Sequence, residues 1–336
     1  MAKQRTKPEH AFVFILLLFI CSAPILAQKN LGQKAPAHSN GLRAVIWRNP
    51  GDVAALNLFY GAGGKEHAPD PSAVYTFVSE DTTGTQPKFD VRDDQGVKWK
   101  VKLGHESQSE VAATRLLWAA GYFVDEDYYL PELKVTGLPK LRRGQGFVSP
   151  GGVVRGARLK RHIEGHKKLG TWDWSRNPFT GTRELNGLKV MMALMNNWDL
   201  LTRNNEVYET ANARFFEVKD LGATFGKGGN NFTWSKSVLR DYENSNFIDN
   251  GTPREVDFKT RSHVFATPVL RFGKQNKTES VTRDIPRADA KWLGQSLAHL
   301  SADQIRDCFR AAGYTPEEVE GYTTVVQKRI AELNAL

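Results

Sequence analysis

Alternation of apolar and polar positions is clearest between residues 88 and 103, where KFDVRD and VKWKVKLG flank Asp94-Gln95-Gly96. Successive side chains of a strand point to opposite faces, so two alternating runs around a short Gly-containing turn predict a β-hairpin. Upstream, AVIW, ALNLFY and AVYTFVSE are short apolar runs between Gly and Pro punctuation and predict three further strands. SEVAATRLLWAAGY follows the hairpin at once. Its Ala and Leu content predicts a helix, with Gly121 placed to close it.

The period then changes. Leu185, Leu188, Met192 and Met195 recur at helical spacing and predict a helix over 184–197, and EVYET with RFFEVKD predicts a second hairpin behind it. Residues 128–170 mix strand-like pieces with loops. Residues 226–263 are poor in apolar residues and rich in Gly, Asn and Ser, the composition of a long substrate-facing loop. Ser301-Ala-Asp-Gln304 and Thr315-Pro-Glu-Glu318 both fit capping boxes, with Gly313 separating the two C-terminal helices they start. A strand-rich part with one helix, followed by a mainly helical part carrying a hairpin, predicts an α+β fold of two lobes around a cleft.

The first residues carry a different signal. MAKQRTKPEH holds three Lys or Arg, AFVFILLLFI is unbroken apolar, and CSAPILA ends in small residues, the build of a secretory signal peptide over 1–27. A membrane anchor is the alternative, since the apolar run approaches the short limit of a spanning helix. Both place the folded part in an exported setting, and contact with a membrane is expected only if the segment is uncleaved. Residues 28–41 are polar and aperiodic, as in a flexible linker. The domain division that follows is a strand-rich lobe over 42–133 and a helical lobe over 134–336.

The chain has 336 residues with 40% apolar content, enough to bury a core without disulfides or metals. Only two cysteines are present, Cys21 in the leader and Cys308, so the mature part can form no internal disulfide and no cysteine-based metal site. Its 46 Lys and Arg against 37 Asp and Glu give a formal charge of +9, which favours an anionic partner. Nine of those cations fall between Pro139 and Gly170 beside the single acid Glu164, a solvated surface or a dock for an acidic acceptor. No nucleic-acid partner is expected. His162 and His166 stand four apart there, but Gly165 between them does not suit a zinc helix.

Transfer of a phosphoryl group needs a loop over phosphates, a lysine to grip them, a carboxylate to orient the acceptor, and oxygen ligands for metal. Asp199 and Asn204 have the D-x-x-x-x-N spacing of an acceptor-orienting carboxylate and a metal-binding amide, with Asn205 beside them as a second choice. Behind the hairpin, Asp220-Leu221-Gly222 puts another carboxylate at the end of an apolar strand. The plainer alternative makes Asp199 a turn cap and Asp220 a strand end. Lys98, Lys100 and Lys102 share one face of a strand, and Glu110 on the next helix is placed to pair with Lys102. The turn DTTGTQP, with Gly84, can offer backbone N–H groups to phosphate oxygens. GAGGK at 61–65 lacks the strand–helix context of a phosphate loop and predicts an ordinary turn. There is no G-x-S-x-G elbow of a serine hydrolase.

The stretch GTQPKFDVRDDQGVKWKVKLGHESQSEVAATRLLWAAGY resembles the first lobe of HipA-type kinases. NNWDLLTRNN followed by FFEVKDLGATFG resembles the catalytic and metal loops of the wider atypical kinases, among them phosphoinositide kinases, spore-coat kinases and secretory-pathway kinases. The resemblance covers about residues 75–226. It implies Gly84 and Lys88 in the nucleotide loop, Lys102 on the phosphates with Glu110 as partner, Asp199 as catalytic carboxylate, and Asn204 and Asp220 as Mg²⁺ ligands with ATP as donor. A noncatalytic, kinase-shaped module that recognises an anionic glycan, lipid or protein is the alternative.

Overall fold

Two separate apolar cores organise the computed structural model, which describes residues 41–228, 234–260 and 280–336. The expected signal segment lies outside the described residues. Secondary structure is mixed, and the protein is an α+β fold.

The smaller core fills a sheet that closes on itself. Its strands are β2 (Val74–Asp81), β3 (Lys88–Arg92), β4 (Lys98–Leu103), β5 (Asp127–Thr136), β6 (Val148–Ser149) and β7 (Val153–Arg161). They run in the order β4-β3-β2-β5-β7-β6, and β4 also pairs with β7. The expected hairpin is β3–β4, with Lys88 opposite Lys102 and Asp90 opposite Lys100. Phe89, Val91, Trp99, Val101 and Leu159 point into the closed sheet and are buried, so the alternating Lys98, Lys100 and Lys102 take the outer face.

The expected division at 133/134 falls inside β5, and β7 extends the same sheet to Arg161. The pairing of β5 with β7 and of β7 with β4 moves the end of the strand-rich part there. ALNLFY is not a strand. Asp52 caps a short 3₁₀ turn at Val53–Ala55, and Gln304 takes the carbonyls of Val53 and Leu56, so the backbone is satisfied without a sheet partner.

Helix α1 (Glu106–Ala119) leaves β4 after a single tight turn and ends at Gly121, whose φ of 90° only glycine adopts without strain. It packs into the larger core with α2 (Arg183–Leu194) and the C-terminal helices α4 (Arg287–Leu297), α5 (Ala302–Arg310) and α6 (Pro316–Asn334). Both expected capping boxes, Ser301 with Gln304 and Thr315 with Glu318, are formed. A second sheet joins β1 (Arg43–Val45), β8 (Lys167–Gly170), β9 (Asn205–Glu209) and β10 (Ala213–Val218) in the order β1-β10-β9-β8. Its β9–β10 hairpin is the second one predicted.

The described residues of the stretch expected as a long loop include regular elements. A short helix α3 (Leu239–Glu243) and the strands β11 (Ile248–Gly251) and β12 (Glu255–Phe258) lie in it, and β12 also pairs with β13 (Ile285–Pro286). Tyr242, Phe247, Val256 and Phe258 are few but fully used as anchors in the larger core. Low apolar content over the whole stretch hid them. Among the described residues no helix is long and apolar enough to cross a membrane.

One buried cation ties α6 to the end of α2. Arg329 is 3% exposed and donates to the carbonyls of Ala193, Leu194, Tyr242 and Ser245, with its guanidinium 4.1 Å from the Tyr242 ring centroid. The last carbonyls of a helix have no partner within it and carry partial negative charge, so a cation there satisfies both needs. Arg329→Ala leaves four carbonyls without this donor and is expected to destabilise the fold by about 3 kcal/mol. A urea midpoint that falls accordingly in equilibrium unfolding checks this, and an unchanged midpoint contradicts it.

Candidate active site

The loop after α2 is turned by its asparagines. Asn196 has a φ of 51°, its N–H bonds to the Ala193 carbonyl at 2.9 Å, and the Asn197 N–H bonds to that of Met192 at 2.7 Å. This is a Schellman ending, and asparagine tolerates the left-handed backbone it requires. Asn196 also donates its side-chain N–H to the Gly226 carbonyl, while Asn197 Oδ1 accepts the Asp199 N–H at 3.0 Å. The amides thus fix the path of the backbone on either side of Asp199.

Asn204 donates Nδ2 to the Asp199 carbonyl at 2.8 Å, and its own carbonyl accepts the Lys219 N–H at 2.7 Å. The two expected loops are therefore stitched together through Asn204. Asn205 is 1% exposed and donates to the Trp172 carbonyl inside the larger core, so Asn204 is the amide beside the aspartate.

Lys102 sits on the outer face of β4 and is 5% exposed. Its Nζ lies 2.9 Å from Glu110, 3.0 Å from Glu106 and 3.4 Å from Asp220. Burial pulls its pKa down, yet the charges of Glu110 and Asp220 outweigh that and raise it, so the ammonium stays charged. Arg158, opposite Lys102 on β7, contacts the same Glu110 oxygen at 2.9 Å and reaches Asp127 at 3.4 Å. Burial raises the Asp127 carboxyl to about 6.

Asp220 is reached through its side chain, which keeps 41% of its surface open. Burial of the carboxylate works against ionisation, but Lys102 prevails and holds its pKa below the ordinary value. Asp199 goes the other way. Burial and then the nearby charge of Asp220 raise it, with a smaller opposing contribution from the Asn204 hydrogen bond. Two carboxylates with opposite shifts thus feel each other's charge.

Gly84 and Lys88 lie in and just after the β2–β3 turn. Gly84 has a φ of 67°, and a Cβ there would stand 3.6 Å from Lys88 Nζ. Lys88 is 3.7 Å from Asp81, and burial lowers its pKa. GAGGK, as expected, is a tight turn, packed under Arg115 and Tyr128.

Several residues escaped the sequence reading. Glu106 is a second carboxylate on Lys102, and its position four residues on was a readable signal, since β4 and α1 are joined almost without a loop. Gln86, in the same turn as Gly84, donates to Glu106 at 3.1 Å. Lys236 also contacts Glu106 and stands 5.1 Å from the Trp198 ring centroid, a pairing that nothing in its polar surroundings foretold. Arg143 donates to the carbonyls of Asp81, Thr83 and Gly84 and braces the turn. It belongs to the basic segment 139–170, in which Arg158, Lys160, Arg161, Lys167 and Lys168 are all engaged in ion pairs with acids of the fold. Of the segment's nine cations, Lys140, Arg142 and Arg155 are exposed and make none of these ion pairs.

No family model and no curated protein matches this chain. Among solved structures, it is similar to the Helicobacter pylori proinflammatory kinase CtkA, at 11% identity over 78% of this chain and 96% of that one, with a TM-score of 0.46. It is similar also to the Golgi casein kinase, at 10% identity over 84% of this chain and 78% of that one, with a TM-score of 0.33. Both are kinases, the class that the sequence resembles.

A raised carboxyl pKa means that the folded state binds that proton more tightly than the unfolded chain. Asp199 therefore lowers stability once the pH exceeds its folded pKa, and the penalty vanishes as the pH falls below the ordinary carboxylate value. Asp199→Asn is expected to raise the melting temperature at pH 7, with a gain that shrinks steadily on acidification. A gain independent of pH, or a loss, contradicts the raised pKa.

Proposed function

We propose that this protein is an exported, two-lobed, kinase-like phosphotransferase that moves a phosphoryl group from Mg²⁺-ATP to an acceptor hydroxyl. The observation that carries this is the meeting of Lys102, Glu110 and Asp220 within 3.4 Å, although they come from β4, α1 and the segment after β10. The separation of the apolar residues into two cores supports the lobed reading. A lysine held by a helix glutamate next to an ionised aspartate is the arrangement that positions and neutralises a triphosphate. The apolar leader MAKQRTKPEH-AFVFILLLFI supports export.

In this reading Lys102 contacts the phosphates while Glu110 and Arg158 keep it from folding back. Gly84 and Lys88 close over the far side of the phosphates. Asp220 and Asn204 would hold Mg²⁺, whose chemistry is to offset charge on the phosphate oxygens. The donors suit that metal, which takes one or two protein oxygens and fills its other positions with phosphate and water. Among the described residues no group of three or more His, Cys, Asp or Glu forms a metal cage, as a metal carried in with the nucleotide requires none.

Asp199 accepts a hydrogen bond from the acceptor hydroxyl and takes its proton as the oxygen attacks the terminal phosphorus. The new O–P bond forms as the bridging P–O bond breaks, and the nucleoside diphosphate leaves. Burial and the charge of Asp220 raise the pKa of Asp199 toward that of a useful base.

Asp220→Asn is expected to abolish transfer, by at least about a thousandfold, and to leave circular dichroism unchanged. Undiminished transfer by that variant removes the assignment. Mg²⁺-ATP at millimolar concentration is expected to raise the melting temperature of the wild type, because a ligand of the native state stabilises it. No rise would point to the noncatalytic binding module.

A further inference from the structure

Glu110 serves two cations with one oxygen. Its Oε2 lies 2.9 Å from the Lys102 ammonium and 2.9 Å from Arg158 Nη2, and Lys102 and Arg158 stand opposite each other on β4 and β7. The other arm of the guanidinium reaches the opposite way. Arg158 Nη1 is 3.4 Å from Asp127 Oδ1 on β5, the strand paired with the other edge of β7. Asp127 is opposite Lys160, two positions along from Arg158, and alternation puts all of these side chains on one face of the sheet. A row of four charges, Asp127, Arg158, Glu110 and Lys102, thus leads from β5 to the phosphate site.

Asp127 is fully buried, and neither of its carboxylate oxygens has a hydrogen-bond partner among the described residues. Asp125, two residues earlier, differs. Lys160 and Lys219 overcome its burial and hold it ionised. The charged groups facing Asp127 are Arg158 and Lys160 on β7, Glu110 and Arg115 on α1, and Asp125 just before its own strand. Burial is the largest influence on its carboxyl and lifts it to about 6, with Arg158 and Lys160 opposing the rise and Glu110 and Asp125 adding to it. Arg158 stays charged, because Glu110 and Asp127 outweigh its own burial.

A proton on Asp127 therefore changes how the charge of Arg158 is met. With Asp127 ionised, Arg158 is shared between two carboxylates and Glu110 is left largely to Lys102. With Asp127 neutral, Arg158 draws on Glu110 alone, Lys102 loses part of its counter-charge, and the centre gains one unit of positive charge. Both changes favour a polyanion at Lys102.

We propose that Asp127 is a positioning residue of the phosphate site, acting through Arg158 and Glu110 on Lys102, so that its protonation tightens the hold on a Mg²⁺-triphosphate. The proposal rests on the kinase-like reading above and adds a control by pH to the same site. Asp127 itself touches no phosphate.

The test compares the dissociation constants of Mg²⁺-ATP for the full wild-type chain and for Asp127→Asn, measured by calorimetry across pH. Titration of the ligand affects both proteins alike and cancels in their ratio. Asp127→Asn is expected to bind about fivefold tighter than wild type at about pH 7.5, with the advantage fading toward about pH 5, where the wild-type carboxyl is itself neutral. A merely structural role gives a ratio that does not move with pH. Wild type alone supplies a second reading, through calorimetry in buffers of different ionisation enthalpy. A bound polyanion raises the pKa of Asp127, so binding at about pH 6.5 is expected to take up protons beyond those that the ligand takes up. Equal affinities at about pH 7.5, a ratio constant with pH, or no such uptake by wild type overturns this proposal and leaves the kinase-like reading standing. Absence of Mg²⁺-ATP binding by wild type at every pH overturns both.

Discussion

A buried ammonium is the constraint on which the rest depends. Lys102 is nearly withdrawn from water, and a charge so placed is tolerable only when opposite charges and hydrogen bonds surround it. Glu106 and Glu110 reach it from α1, and Asp220 from beyond β10. Arg158 from β7 then offsets the surplus of negative charge. The closed sheet, the helix and the hairpin must therefore assemble together, because separating any one strands an ion in a poorly solvated place. The same arrangement leaves Asp220 ionised with an open side and sets Asp199 close enough to feel its charge.

Positioning of Asp199 is a matter of backbone rather than charge. Helix α2 ends in a left-handed asparagine, Asn197 catches the Asp199 N–H, and Asn204 holds the Asp199 carbonyl. Arg329, from the last helix, secures the carbonyls at the end of α2 from which this loop starts. A residue in α6, more than a hundred positions away, thus steadies the loop without touching the site.

The outer face of the closed sheet changes character along β4. At Lys102 the charges converge on a single point with an accessible carboxylate, whereas at Lys100 and Lys98 each cation is matched locally by Asp81 or Asp90. The first joins three elements through one cation, and the second is a local set of ion pairs on the sheet face. Both grow from one alternating strand, so register with β3 and β7, and not residue type, sets which partners each lysine meets.

The sequence by itself determined the local elements: the β3–β4 hairpin, α1 with its closing glycine, α2, the β9–β10 hairpin and both C-terminal capping boxes, since each depends on near neighbours and on turn chemistry that residue order specifies. It also singled out Lys102, Glu110, Asp199, Asn204 and Asp220 as a group expected to meet. Tertiary structure alone decided which strands close the sheet, carrying the strand-rich part past residue 134 to Arg161, and which asparagine of the Asn204-Asn205 pair faces Asp199. It also brought Glu106, Arg158 and Lys236 to the same centre. Those outcomes depend on contacts between residues far apart in the chain. Such contacts are fixed by the competition to bury apolar surface and pair buried charge, and no local pattern records it.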